Sequence, residues 1–329
     1  MGSEENVTRS AHCDSIDLFL RGKKIIPGVL KICKKPALKK MKQTIKKIDQ
    51  SASRITGNNT GLTKNIAGEI SKFVKSVKSD ANVCSGDGSK MSKKGYVSLE
   101  NKIPNKTVKT LRKKLQKSID KGECTHVIEY EGKSYSEQVA SMKGNKNERY
   151  DFSKVDEVKG IVTQEVKNKI KSYYNSYFEP DFVKIYRNHH VPKNIAARLP
   201  SVFSDDWHCD GRRTDYIKLF VALSEITEDD GPFHIIDKQE TKTLFRRGFD
   251  RSDPEWQRKV WEQASVTKMT GPPGTAMIAN TNTSLHRAGH PEKGRVRDIA
   301  LVQFAPSSEP LPEDWPSKTE YRRAGKSIF

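Results

Sequence analysis

Apolar positions in the first half of the chain recur at intervals of three and four. Leu38, Met41, Ile45 and Ile48 mark one amphipathic helix, opened by Pro36, and Leu62, Ile66, Ile70, Phe73 and Val77 mark a second. Val108, Leu111 and Leu115 continue the pattern, as do Val155, Val158, Val162, Val166 and Ile170, the last set in a helical stretch running to Phe178. After Pro180 the period shortens. "DFVKIYRN", "YIKLFVALSEI", "TAMIANT" and "VRDIALVQFA" are rich in branched and aromatic residues and are separated by the turn-formers "EDDGP" and "GPPG". One helix, "SDPEWQRKVWEQA", interrupts these strands. It opens with Ser252 and Glu255 spaced as a capping box, and Trp256 and Trp261 share a broad face suited to packing on a sheet. Helices followed by dense strands predict an α+β fold with a mainly β core, a sandwich or barrel buttressed by helices.

Charge divides the chain. Residues 1–94 hold 20 Lys/Arg against 8 Asp/Glu, hence +12 of the net +19. This predicts a basic, helical, partly flexible N-terminal appendage over 1–94, a core domain over 95–310 and a tail over 311–329. The excess suits an acidic partner for the N-terminal helices. Few aromatics interleave with the lysines, which disfavours a nucleic-acid stacking groove. Five scattered cysteines without a CxxC pair indicate neither a disulfide framework nor a zinc site. With no long apolar run and no secretory signal pattern, the expectation is a soluble, cytoplasmic protein.

The tripeptide HCD occurs twice, at His12-Cys13-Asp14 and within "WHCDG" at 207–211. In an extended chain His208 and Asp210 project together while Cys209 turns away. An imidazole and a carboxylate so placed are two ligands of a facial triad, and a second histidine would complete it. His234, His286 and His290 are candidates. His286 is favoured because it follows a strand-like segment and precedes Arg297 by eleven positions, whereas His290, before a proline in a turn, reads at least as readily as a solvated loop residue as a group with a role in the site. An arginine entering a sheet core needs a partner, and the distal carboxylate of a dicarboxylic co-substrate would supply one.

"WHCDG", then "GPFHII", then "HRAG" and Arg297 resemble the ordered motifs of the phytanoyl-CoA dioxygenase family of Fe(II)- and 2-oxoglutarate-dependent oxygenases, over roughly Gly95 to Pro306. The resemblance implies a double-stranded β-helix (jelly-roll, cupin-like). It implies iron held by His208, Asp210 and His286, the 2-oxoglutarate C5 carboxylate on Arg297, and O2 as oxidant. Arg295 is the fallback if the strand is regular. Some relatives carry a hydroxyl two places after the distal histidine; Ala288 stands there, so Lys218, Tyr186 or Arg187 would give the second anchor. Relatives that halogenate lack the carboxylate, so Asp210 implies hydroxylation. The substrate is expected to be a small molecule, and Arg212 and Arg213, Arg246 and Arg247, or Tyr186 would contact an anionic or CoA-linked one. The competing reading is a non-catalytic barrel whose lysine-rich helices bind nucleic acid or an acidic partner.

Overall fold

The computed structural model divides the chain into two units, Met1–Ser51 and Ala52–Phe329. It describes residues 62–78, 88–121, 129–130, 133–134, 148–150, 156–190, 205–211, 213–313 and 315, all in the second unit. The helix expected around Leu38–Ile48, the first HCD copy and Arg212 lie outside the described residues.

In chain order the described elements are helices α1 (Leu62–Lys78) and α2 (Gly88–Lys94), strand β1 (Tyr96–Ser98), α3 (Asn105–Asp120), and the short strands β2 (Glu129–Tyr130), β3 (Lys133–Ser134) and β4 (Glu148–Tyr150). A 3-10 turn at Asp156–Ile161 leads to α4 (Gln164–Tyr174), β5 (Tyr177–His189) and β6 (Ile217–Ala222). Then come β7 (Phe233–Ile236), α5 (Lys238–Arg246), α6 (Pro254–Gln263), β8 (Val266–Met269), β9 (Ala276–Ala279), β10 (His286–Ala288) and β11 (Val296–Ser307).

The strands form two antiparallel sheets that carry the core. The larger has the order β1-β9-β6-β11-β5-β4 and the smaller β10-β7-β8; β2 and β3 pair separately. Alternation along each strand gives every sheet two faces. Phe220 and Ala222 of β6, Met277 and Ala279 of β9, and Ile299 and Leu301 of β11 meet Phe233 and Ile235 of the smaller sheet in one buried cluster. Phe220 and Phe233 stack across it with ring centres 4.4 Å apart. On the other face of the large sheet, Leu219, Val221, Ala300 and Val302 pack with Leu111, Leu115, Val166 and Ile170 of the helices. Behind the small sheet, Trp207, Cys209, Ile236, Leu244, Phe245 and Val260 form a third cluster.

Three predicted boundaries move. The helix expected to run from Val155 to Phe178 is a 3-10 turn plus α4, stopped by Asn175 in the left-handed region at φ 52°. Strand β5 then starts at Tyr177, ahead of Pro180, and its partner β11 shifts register between Gln303 and Phe304 opposite that proline. α6 is capped by Asp253, which accepts from the Glu255 amide at 2.8 Å, while Ser252 bonds Asp250, so the expected Ser252 capping box is absent. α6 does pack as its tryptophans suggested: Trp261 lies 5.1 Å from Trp207, and Trp256 lies 6.2 Å from Phe249.

Candidate metal centre

The segment carrying His208 adds an edge to the small sheet. His208 and His286 exchange both backbone hydrogen bonds, at 3.0 and 2.9 Å, as a directly opposed antiparallel pair. Their side chains therefore leave the same face, and the ring centres lie 4.3 Å apart. Within β10 and β7, His286 shares the inward parity of Ile235, while Arg287 and His234 share the outward one. Cys209 and Trp207 point into the cluster behind the sheet, opposite to His208 and Asp210. One ligand atom from each of His208, Asp210 and His286 lies within 4.8 Å of the others. Asp210 Oδ1 stands 3.9 Å from His208 Nε2 and 3.7 Å from His286 Nε2.

Each group is held from behind. His208 Nδ1 lies 2.7 Å from the Asp206 carbonyl and His286 Nδ1 3.2 Å from that of Ser284. A carbonyl only accepts, so Nδ1 carries the proton and the Nε2 lone pair is free toward the centre. Asp210 Oδ2 accepts from Lys218 Nζ and from the Thr281 hydroxyl, which turns Oδ1 toward the imidazoles. The Asp210 amide donates to the Thr281 carbonyl at 2.9 Å. Thr281 is fixed by its neighbour: the Asn280 side-chain amide donates to the Thr214 carbonyl at 2.6 Å and the Tyr173 hydroxyl at 2.9 Å.

The electrostatics suit a cation. Burial pushes His286 down to about 3, reinforced by His208, and pushes His208 down as well against the pull of Asp210. Burial works to raise Asp210, but Lys218, His286 and His208 together hold its carboxyl well below the usual carboxylate range. Two neutral imidazoles and one carboxylate are the protonation states that metal binding requires.

Arg297 stands on β11 opposite Asn188 of β5 and shares the inward parity of Ile299 and Leu301. It is 2% exposed, and among the described residues its Nε and Nη1 have no hydrogen-bond partner. Burial lowers its pKa, with Tyr186 and Asp230 pulling the other way. Tyr186, opposite Ile299, lies on the same face.

Other expectations need correction. Arg295 lies outside the regular strand, bonded to Asp230 (Nε to Oδ1, 3.0 Å) and Thr227, so it does not share the face of Arg297. Arg213 is paired with Asp215 at 2.6 Å and lies over the Tyr216 ring, which occupies it structurally. Arg187 is on the opposite face from Tyr186, bound to the buried Asp298 at 2.7 and 2.9 Å, so it is no inward anchor. Lys218 is committed to Asp210. His234 points away from the triad, edge-on to Trp207 and Trp261. His290 is no solvated loop residue: it stands 3.4 Å from Asp205, and its backbone closes on Gly231 (φ 65°), where any side chain would collide with it.

Thr281 escaped the sequence reading, because "NTNTS" looks like any polar turn. The available signal was its position, leading directly from a buried strand to His286. Thr281→Val should remove the hydroxyl that fixes Asp210 while keeping volume. The expected result is a loss of roughly tenfold in Fe(II) affinity by anaerobic titration, with the thermal midpoint little changed.

No family model and no curated protein matches the chain. Among solved structures it is similar to the non-heme alpha ketoglutarate dependent epimerase SnoN from nogalamycin biosynthesis, at 9% identity and TM-score 0.47, over 67% of this chain and 81% of that one. It is also similar to EctD from S. alaskensis with 2-oxoglutarate and 5-hydroxyectoine, at 13% identity and TM-score 0.48, over 69% and 77%. A third is the carbocyclase SnoK, alpha ketoglutarate dependent and from the same biosynthesis, at 10% and TM-score 0.45, over 68% and 85%. At these scores the likeness is one of backbone course. A second SnoN structure contains Fe3+, alpha ketoglutarate and nogalamycin RO. Among the described residues of this chain, His208, Asp210 and His286 form a group that could hold a metal ion.

Proposed function

We propose that the chain is an Fe(II)- and 2-oxoglutarate-dependent dioxygenase of the phytanoyl-CoA dioxygenase kind, with residues 95–310 forming a double-stranded β-helix, acting in the cytoplasm on a small-molecule C–H bond. The carrying observation is the Arg297 guanidinium, buried between the sheets with two nitrogens unpaired, in a core that also holds the His208, Asp210 and His286 set. A buried unpaired guanidinium is costly, and a carboxylate arriving with a ligand is the partner that relieves it.

Two imidazoles and a carboxylate on one side of an ion leave adjacent positions open, and that donor set suits ferrous iron. Iron with 2-oxoglutarate and O2 would supply the oxidant for hydroxylation, with succinate and CO2 as co-products. His208 and His286 would offer Nε2 and Asp210 would offer Oδ1. Lys218 and Thr281 keep that carboxylate oriented and ionised, and Arg297 would grip the distal carboxylate of the diacid. Phe220, Phe233, Met277 and Leu301, buried on the inward face shared with Arg297, would keep water from the reacting region. Because Asp210 fills the third ligand position, hydroxylation is preferred over halide transfer. A metal enzyme that does not use the diacid would leave Arg297 without a purpose.

The test is anaerobic titration of the metal-free protein with Fe(II) and then 2-oxoglutarate. A weak visible charge-transfer absorption should grow in with the diacid. If iron-loaded protein develops no such absorption at saturating 2-oxoglutarate, the oxygenase reading fails.

A further inference from the structure

The two halves of the metal centre arrive along separate stretches of chain. His208 and Asp210 lie on the segment that leads into β6, whereas His286 opens β10 after the turn over 280–284 that leaves β9. Backbone pairing of His208 with His286 brings the stretches together. The set of the Asp210 carboxylate and of the His286 ring depends on what lies beneath them, and for both groups that support is the same turn. The Thr281 hydroxyl and carbonyl meet Asp210, and the Ser284 carbonyl lies 3.2 Å from His286 Nδ1.

Asn280 builds this turn from inside the protein, at 1% exposure. Its carbonyl accepts from the Thr283 and Ser284 amides at 3.1 and 3.2 Å, its own amide donates to the Gly95 carbonyl at 2.7 Å, and its Oδ1 accepts from the Asn282 amide at 3.1 Å. Its Nδ2 donates to the Thr214 carbonyl at 2.6 Å and to the Tyr173 hydroxyl of α4 at 2.9 Å. An amide side chain offers one carbonyl oxygen and two N–H donors, and all of them are engaged. Thr214 follows Asp210 by four residues, so one side chain ties the turn under His286 to the segment that carries Asp210. α1 closes over the same point, because a Cβ on Gly68 would collide with Thr214.

No other side chain reproduces this set of bonds. Aspartate keeps the shape but has no N–H, so a carboxylate oxygen would face the Thr214 carbonyl in a buried place. The turn would then relax, and Thr281 and Ser284 would leave the positions from which they hold the ligands.

We propose that Asn280 is a positioning residue that sets Asp210 and His286 together, so that metal affinity depends on an amide bonded to neither ligand. This rests on the reading of His208, Asp210 and His286 as a metal centre.

The test is titration of the metal-free full chain with Co(II), read by calorimetry and by visible absorption, which reports ligand number and geometry. Asn280→Asp should lower Co(II) affinity by roughly ten- to a hundredfold, the range for groups that orient metal ligands, and should alter the absorption bands. Tyr173→Phe keeps the ring and removes one acceptor of the amide, so it should act in the same direction by a smaller factor. Val302→Ala, on the helix-facing side of the large sheet, is the control: it should lower the thermal midpoint and leave Co(II) affinity and bands unchanged. Wild-type affinity and bands in both Asn280→Asp and Tyr173→Phe would overturn the proposal. So would a loss of affinity in Val302→Ala as large, for the same fall in midpoint, as in the Asn280 variant. Wild-type protein that takes up no Co(II), or takes it up equally after His208→Ala, would instead remove the metal centre itself and the proposal with it.

Discussion

Arg297→Met is expected to make the ligand-free protein more stable while abolishing its use of 2-oxoglutarate. The guanidinium is 2% exposed, and its Nε and Nη1 have no hydrogen-bond partner among the described residues. Burying polar groups without partners costs about 1–3 kcal/mol in protein measurements. Methionine keeps much of the volume and removes that cost, so unfolding free energy should rise by about 1–3 kcal/mol. The thermal midpoint should rise by roughly 2–4 °C per kcal/mol for a unit of this size. Affinity should move the opposite way. Hydrogen bonds to charged groups contribute about 1.5–3 kcal/mol each, so losing a two-pronged grip should weaken 2-oxoglutarate by roughly a hundredfold or more. Added 2-oxoglutarate should stabilise the wild type by about 2.7 kcal/mol at a hundred times its Kd, and should do nothing for the variant. Urea unfolding with and without the diacid measures both halves. A variant that is less stable, yet still stabilised by 2-oxoglutarate, would show that Arg297 is a structural residue with a partner inside the protein.

The metal-free protein is expected to lose stability steeply in mild acid. Burial is the leading cause in all four relevant histidines. It sets His286 to about 3, His234 to about 4 and His290 to about 4, and lowers His208. In the unfolded chain all four titrate near 6.5. Between these values the unfolded state binds more protons, so stability rises with pH. Their contribution is complete above about pH 6.5 and is lost progressively as pH falls toward the folded values. Each histidine adds a slope of up to about 1.4 kcal/mol per pH unit. Four give up to about 5 kcal/mol per unit, against the total of about 5–15 kcal/mol typical of folded domains. Asp210, held below its ordinary range, adds to the loss at still lower pH, whereas Asp215, raised by burial despite Arg213, acts in the opposite sense. Urea unfolding in the presence of a chelator, from pH 7.5 to 4.5, should show a falling midpoint. His234→Phe should reduce the slope by about a quarter, since it removes one of the four groups. Saturating Fe(II) should protect, because protons and metal compete for the Nε2 atoms of His208 and His286. A midpoint that stays flat between pH 7 and 5 would contradict this account.

Much of the site was legible because strand geometry is local. Alternation in an extended chain sends His208 and Asp210 one way and Cys209 the other, and "WHCDG" is enough to state it. The inward parity of Arg297 with Ile299 and Leu301 follows from the same rule. The apolar spacing of α1, α3 and α4 marked helices for a similar reason, since a period near 3.6 needs no knowledge of what lies opposite. The rule fails where regularity stops. Arg295, two residues before Arg297, would share its face in an unbroken strand, but the strand begins only at Val296, which leaves Arg295 outside it on Asp230.

What the sequence determined by itself was therefore the list of inward-facing groups and the kinds of element that carry them. Which of them meet was decided by tertiary structure. His286 rather than His234 completes the triad because β10 pairs with the His208 segment and His234 has the outward parity of its strand. Thr281 holds Asp210 because a turn folds back across 71 residues of chain. α1 leaves Ile66, Ile70, Phe73 and Val74 exposed because its other side meets the body, with Gly68 against Thr214, Ser71 bonded to Arg213 and Ser76 bonded to Asn175. Periodicity reports that a helix has two faces. Only shape and charge complementarity with the rest of the molecule select the face that is buried.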